Sequence, residues 1–146
     1  MMVERHIGFT GTREGMSEFQ KRKLRVYLES AVVTAGRTGD EVVFHHGDCL
    51  GADAEAHEIA HSLGIEIVIH PPIVQRMRAF CKGIYLAPMD YLERDRHIVD
   101  STIGMIAAPK SNKEEKRSGT WYTVRYARKT GKTVILLSRN ESTETG

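Results

Sequence analysis

Cysteine is scarce in this chain: two among 146 residues, Cys49 and Cys81, far apart and in no C-x-x-C pattern. A cytoplasmic protein with free thiols is the simplest reading. Long apolar runs are absent, and nothing approaches the ~18 residues of a membrane helix. The opening Met-Met-Val-Glu-Arg-His lacks the apolar centre of a signal peptide. Neither sign of charge dominates, since 21 basic and 19 acidic residues leave a net +2. A chain-wide cationic field is therefore excluded, although local basic patches are not. Internal repeats and low-complexity segments are missing too. What is present is 40% hydrophobic and 27% charged residues, the balance of a soluble globular protein. The length suits one domain, expected over residues 1–138, with a polar tail over 139–146.

Short apolar runs alternate with helical patterns. Strands are expected at His6–Phe9, Glu41–His45, Ile65–Ile69, Ile103–Ala108 and Thr133–Leu137. Helices are expected at Ser17–Ala35, Gly51–Leu63, Asp90–Thr102 and Gly119–Thr130, with a short one over Ile73–Phe80. Ser17 and Gln20 have capping-box spacing. Lys110–Arg117 is a charged loop without an apolar residue. Strands alternating with helices call for an α/β fold. The expectation is a Rossmann-like, doubly wound sheet of about five parallel strands, order 3-2-1-4-5, with helices on both faces. Ligands of such sheets bind beyond the strand C-ends, where the strand order reverses.

Three turns fall at that edge. After the first strand come Gly11, Thr12 and Arg13: a glycine for close backbone approach, a hydroxyl, and a planar fork that grips phosphate or carboxylate. The plainer reading is a tight turn with Arg13 in water. After the second strand come Gly47, Asp48, Gly51 and Asp53 at a helix start, whose free N–H groups attract anions. Asp48 suits ribose hydroxyls or a base amine, while Asp53 suits helix capping better than ligand contact. After the fourth strand, Ser118, Gly119, Thr120 and Trp121 open the last helix. Trp121 suits a nucleobase or the core about equally. Arg94 and Arg96 are placed to close the site.

The segments GFTGTR, HGDCLGADAEAHEIAHSLG, RDRHIVD and RSGTWYTVRYARKTGKTVILL, in that order, resemble the Rossmann-like SLOG superfamily. Its members include the DprA/Smf DNA-processing proteins and the LOG phosphoribohydrolases. The closest local likeness is to DprA: Ser118-Gly119-Thr120 with the run from Thr123 to Ala127, Gly51-Ala52-Asp53 with Ala56-His57, and Arg94-Asp95-Arg96, which has Asp95 where the family has asparagine. The resemblance spans roughly residues 6 to 137. It implies a site for a nucleotide or nucleotide-derived phosphate and a homodimer or higher homo-oligomer. Two departures stand out. The chain leaves no room for DprA's flanking domains. It also lacks the glutamate that follows the glycine element of LOG enzymes, and only Asp48, Asp53 or Glu14 could replace it.

His57-Glu58-Ile59-Ala60-His61 matches the H-E-x-x-H zincin pattern. The helix that holds it is needed for packing on the sheet, so a zinc protease is set aside and neither a metal nor another cofactor is expected. Cys49 is read as an incidental thiol, and Tyr85 and Tyr91 as lesser stacking candidates than Trp121. The leading function is binding of a nucleotide or phosphorylated nucleotide-derived small molecule. The alternatives are single-stranded DNA binding through Arg117, Arg125, Arg128, Lys129 and Lys132, and N-glycosidic hydrolysis of a nucleoside monophosphate. No membrane partner is expected.

Overall fold

The computed structural model describes residues 2–141. Its elements run β1 (Glu4–Gly11), α1 (Glu18–Gly36), β2 (Glu41–His46), α2 (Ala52–Ser62), β3 (Glu66–Ile69), β4 (Ile84–Tyr85), α3 (Tyr91–Asp100), β5 (Gly104–Ala108), α4 (Gly119–Lys129) and β6 (Thr133–Leu136). All strand pairs are parallel, in the order β4-β3-β2-β1-β5-β6. The five expected strands hold their expected order, and β4 adds a sixth at one edge. The expected helix over Ile73–Phe80 is instead one 3-10 turn, Gln75–Met77, because the backbone has left helical torsions by Arg78.

Strand alternation sends side chains to two helical layers. Phe9, Phe44, Ile67, Ile69 and Ile106 meet Leu24 and Leu28 of α1 and Ala52, Ala56 and Ala60 of α2. On the other face Met105 meets Ile98, Val99 and Ala127, while Ala107 meets Trp121 and Val124. The α1 start carries the expected capping box: Gln20 N–H donates to Ser17 Oγ, and Ser17 N–H to Gln20 Oε1. The Gln20 amide also donates to the carbonyls of Pro109 and Leu137, tying α1 to the C-ends of β5 and β6. Of the expected tail, Arg139 bonds to Gly15 and Asn112 beside that cap, and residues 142–146 lie outside the described residues. Among the described residues no helix is long and apolar enough to cross a membrane.

Four histidines cross the α3 face of the sheet. His6 Nδ1 meets His45 Nε2 at 2.8 Å, and His45 Nδ1 meets His70 Nε2 at 2.8 Å. The His97 ring of α3 stands edge-on to His70. On the opposite face, Asp48 N–H donates to His46 Nδ1, so the proton of a neutral His46 sits on Nε2 and points to His57 Nδ1, 3.0 Å away.

Candidate functional site

The ends of β1, β2 and β5 enclose a cavity of about 460 Å3 at the point where strand order reverses on either side of β1. One wall is the turn after β1, from Thr10 to Glu14. A second is Gly47, Cys49 and Asp53. A third is Ser118, Gly119 and Thr120, with Lys110, Glu115 and Arg117 of the charged loop. Tyr91, Arg94 and Asp95 of α3 close the remaining side.

Each turn has a local cause. Thr12 binds the β5 end through Ala108 O, and its hydroxyl accepts from Glu14 N–H. Its carbonyl takes the first amide of α2, Ala52 N–H, at 2.9 Å. Gly51 makes that approach feasible: it has φ +87°, and a Cβ there would lie 2.2 Å from Arg13 O. Gly51 therefore supports the Arg13 turn from behind rather than lining the cavity. Ser118 is the α4 N-cap, its hydroxyl accepting from Trp121 N–H. The early amides of α4 are left free to meet an anion. Ser118→Ala is expected to cost about 1 kcal/mol and to lower Tm by roughly 3 °C in a thermal melt.

Charge is arranged in depth. Arg13, Lys110 and Arg117 are exposed at the mouth. Arg13 lies over the Tyr91 ring, 4.6 Å from its centroid, and Lys110 reaches Glu14 and Glu115. The floor is buried. There Arg94 donates to Asp95 Oδ1, to the carbonyls of Gly47 and His70, and to Cys49 Sγ. Asp53 accepts from Cys49 N–H. Burial pushes the Asp53 carboxyl up to about 6, against the pull of Arg94. The Asp95 carboxyl is raised by the same cause. Burial and Asp53 push the Cys49 thiol up to about 11, so it is no activated nucleophile.

Nine of the residues expected at the site line the cavity: Gly11, Thr12, Arg13, Gly47, Asp53, Arg94, Ser118, Gly119 and Thr120. Arg94 is there as a spoken-for floor cation rather than a closing side chain. Gly51, Asp48, Arg96 and Trp121 stand apart. Asp48 is fully buried with φ +58°, and its two oxygens take Arg78 Nε and Cys81 N–H. Arg96 is two residues along the helix from Arg94, so it faces away and donates to Tyr122. Trp121 is buried against Ala107 and Val124. The aromatic ring beside Arg13 at the cavity is Tyr91, and Asp95 is a floor acid the motif reading passed over. Arg94-Asp95-Arg96 was a visible signal, but the helical phase decides which two of the three face inward.

The H-E-x-x-H segment does not bring its histidines to a common point with a third ligand. Among the described residues, the group with metal-ligand spacing is His46, His57 and Cys81, without His61. His46 Nε2 faces His57 Nδ1 while Asp48 N–H donates to His46 Nδ1, so the two rings are joined to each other and to the Asp48 loop.

No protein-family profile matches the chain, and no curated protein matches it by sequence. Solved structures do. A molybdenum cofactor binding protein from Rippkaea orientalis aligns with TM-score 0.68 and 20% identity, over 92% of this chain and 76% of that one. DNA processing protein A (DprA) from Streptococcus pneumoniae aligns with TM-score 0.69 and 17% identity, over 97% of this chain and 52% of that one. DprA from Helicobacter pylori, described by its single-stranded DNA binding mode, aligns with TM-score 0.60 and 16% identity, over 90% and 64%. The chain is thus a Rossmann-like α/β protein with its cavity at the sheet switch point. Within that class it shares its fold with the DprA proteins and the molybdenum cofactor binding protein, and it spans about half of the pneumococcal DprA chain.

Proposed function

We propose that the cavity binds a nucleotide or a phosphorylated, nucleotide-derived small molecule. The observation that carries this reading is the pairing at one mouth of two exposed guanidinium groups, Arg13 and Arg117, with the free amides at the α4 start. A volume of about 460 Å3 suits a small ligand. Tyr91 supplies a ring beside it. The molybdenum cofactor named for one fold neighbour and the DNA named for another are both phosphate-bearing, which agrees with this chemistry.

A small ligand is favoured over a DNA strand by the state of the other cations. Arg125 is held by Glu114 and by the carbonyls of Glu115 and Lys116, and the mouth itself carries Glu14 and Glu115. Single-strand binding needs a continuous cationic groove, and these acids interrupt one. For N-glycosidic hydrolysis the carboxyls at the floor are Asp53 and Asp95. Asp48 is fully committed to its own loop.

Thermal-shift titration with nucleoside mono-, di- and triphosphates tests the proposal. A ligand at a hundred times its Kd should add about 2.7 kcal/mol of stability. Arg13→Ala and Arg117→Ala are each expected to weaken binding about tenfold or more, and free base should stay absent from the product if the site only binds. No shift with any of these ligands, or an unchanged shift in both variants, would sink the reading.

A further inference from the structure

The cavity is polarised from end to end. At its mouth Arg13, Lys110 and Arg117 outnumber Glu14 and Glu115. At its floor the balance is reversed, because two buried acids, Asp53 and Asp95, share one buried cation, Arg94. This floor is built into the fold. Gly47 makes room for the guanidinium, since a Cβ there would lie 2.6 Å from Arg94 Nη1. Arg94 then spends its Nε donor on Asp95 and its Nη1 donors on the carbonyls of Gly47 and His70.

Each floor acid keeps one oxygen for something else. Asp53 takes Cys49 N–H on Oδ2, and Asp95 takes Arg94 Nε on Oδ1. Among the described residues, Asp53 Oδ1 and Asp95 Oδ2 are not sealed from solvent. The Gly47 N–H and the Thr123 hydroxyl lie close to these carboxyls, but Thr123 gives its proton to Gly119 O. An ionised carboxylate can only accept hydrogen bonds, so two open oxygens ask a ligand for two donors. Phe9 and Ile98 line the cavity as well. Apolar sides with an acidic end suit a flat heterocycle that carries its donors on one edge. A ribose has hydroxyls around its rim and would set some of them against carbon. Charge fixes the direction of entry, because a phosphate is drawn to the mouth and repelled by the floor.

Resting on the nucleotide reading above, we propose that Asp53 and Asp95 read the base of the ligand and select one with two neighbouring N–H donors, as guanine has at N1 and its 2-amino group. These acids take the part expected of Asp48. Hypoxanthine keeps the N1–H but lacks the amino group. Adenine sets an unprotonated N1 beside its amino group, and xanthine has a carbonyl where guanine has the amine. Each of the last two turns an acceptor towards a carboxylate, which rejects it.

Isothermal titration of the full chain with GMP, IMP, AMP and XMP at pH 7.5 tests this. GMP should bind tightest. IMP should bind about tenfold more weakly for one lost hydrogen bond to a charged group, and AMP and XMP about a hundredfold more weakly. Asp53→Asn keeps an oxygen for Cys49 N–H and turns an amide donor to the cavity. It should weaken GMP about tenfold and strengthen XMP, a shift of preference that loosened packing alone would not produce. The order of the four nucleotides on the wild type needs no variant to fold. Equal affinity for all four, a preference for AMP, or a folded Asp53→Asn with its preference unchanged would overturn the proposal. In that event, binding that Arg13→Ala weakens alike for every base would leave the phosphate site standing. No binding by any of the four would overturn both.

Discussion

Arg94→Met is expected to lower the unfolding free energy by about 3–5 kcal/mol, and Tm by on the order of 10 °C. Arg94 is buried, and burial alone would weaken its charge. Asp95, with Asp53 behind it, outweighs that cost and holds it charged. Methionine fills much of the volume but leaves the Asp95 carboxylate buried without its partner, and it frees the carbonyls of Gly47 and His70. An uncompensated buried charge, more than the lost attraction, makes such changes severe. Two further outcomes follow. Without Arg94 the Asp53 and Asp95 carboxyls rise further, so the defect should shrink as pH falls towards 5 and they take up protons. Adding Asp95→Asn to Arg94→Met should recover about half of the loss. Urea unfolding at pH 7.5 and pH 5.5 measures all of this, and a loss under 1 kcal/mol would mean that the floor is wet.

Acidification is expected to unfold the chain with a midpoint near pH 5. Burial depresses His45 to about 4, aided by His6 and His97. His46 is depressed to about 3, mainly by burial and then by His57. His70 is also depressed to about 3, by burial and then by His45. In the unfolded chain each titrates at 6.5. Their contribution to stability is therefore whole above pH 6.5 and is lost as pH falls from there to about 4 for His45 and about 3 for His46 and His70, because the unfolded chain binds protons that the folded one refuses. At pH 5 each costs about 2 kcal/mol, or roughly 6 kcal/mol for the three. Asp53 works the other way. Its folded value, about 6, lies above the ordinary 3.8, so it takes up a proton in the folded state and returns about 1.4 kcal/mol at pH 5. The net loss of 4–5 kcal/mol is comparable with the whole stability of a typical domain, about 5–15 kcal/mol. Trp121, the single tryptophan and buried, reports the transition by fluorescence. Three protons taken up by the histidines less the one that Asp53 gives back leave a net uptake of about two in the wild type, and about one in His45→Gln, whose amide can still meet His6 and His70. Fluorescence unchanged down to pH 4 would contradict the buried, neutral histidine chain.

Strand order was legible because the apolar runs ending in Phe44, Ile69 and Leu137 suit strands buried on both sides, and right-handed crossovers leave few arrangements of them. Strand β4 was not legible. Ile84-Tyr85 between Gly83 and Pro88 carries no periodicity, and its pairing with Val68 and Ile69 depends on the loop that Asp48 pins. At the site, the glycine turns and Arg13 could be read because the chemistry is local to each turn. Trp121 could not, because its place depends on how α4 rotates once Ser118 has capped it. Asp48 misled for a related reason. A left-handed residue sends its side chain where an extended one would not, and this one is turned inward to Arg78 and Cys81.

The all-parallel pairing of β1 also bears on synthesis. Its first neighbour is reached at Glu41, but its second, through Ile7↔Gly104, stands almost a hundred residues on. At about 5–20 residues per second, a ribosome makes β1 several seconds before β5 exists. During that interval the half-sheet of β1 to β4 has helices α1 and α2 on one face. The turn from Thr10 to Glu14 cannot yet meet the wall formed by Ser118, Gly119 and Thr120. Folding on the ribosome should thus proceed in two stages, with the ligand cavity completed only in the second.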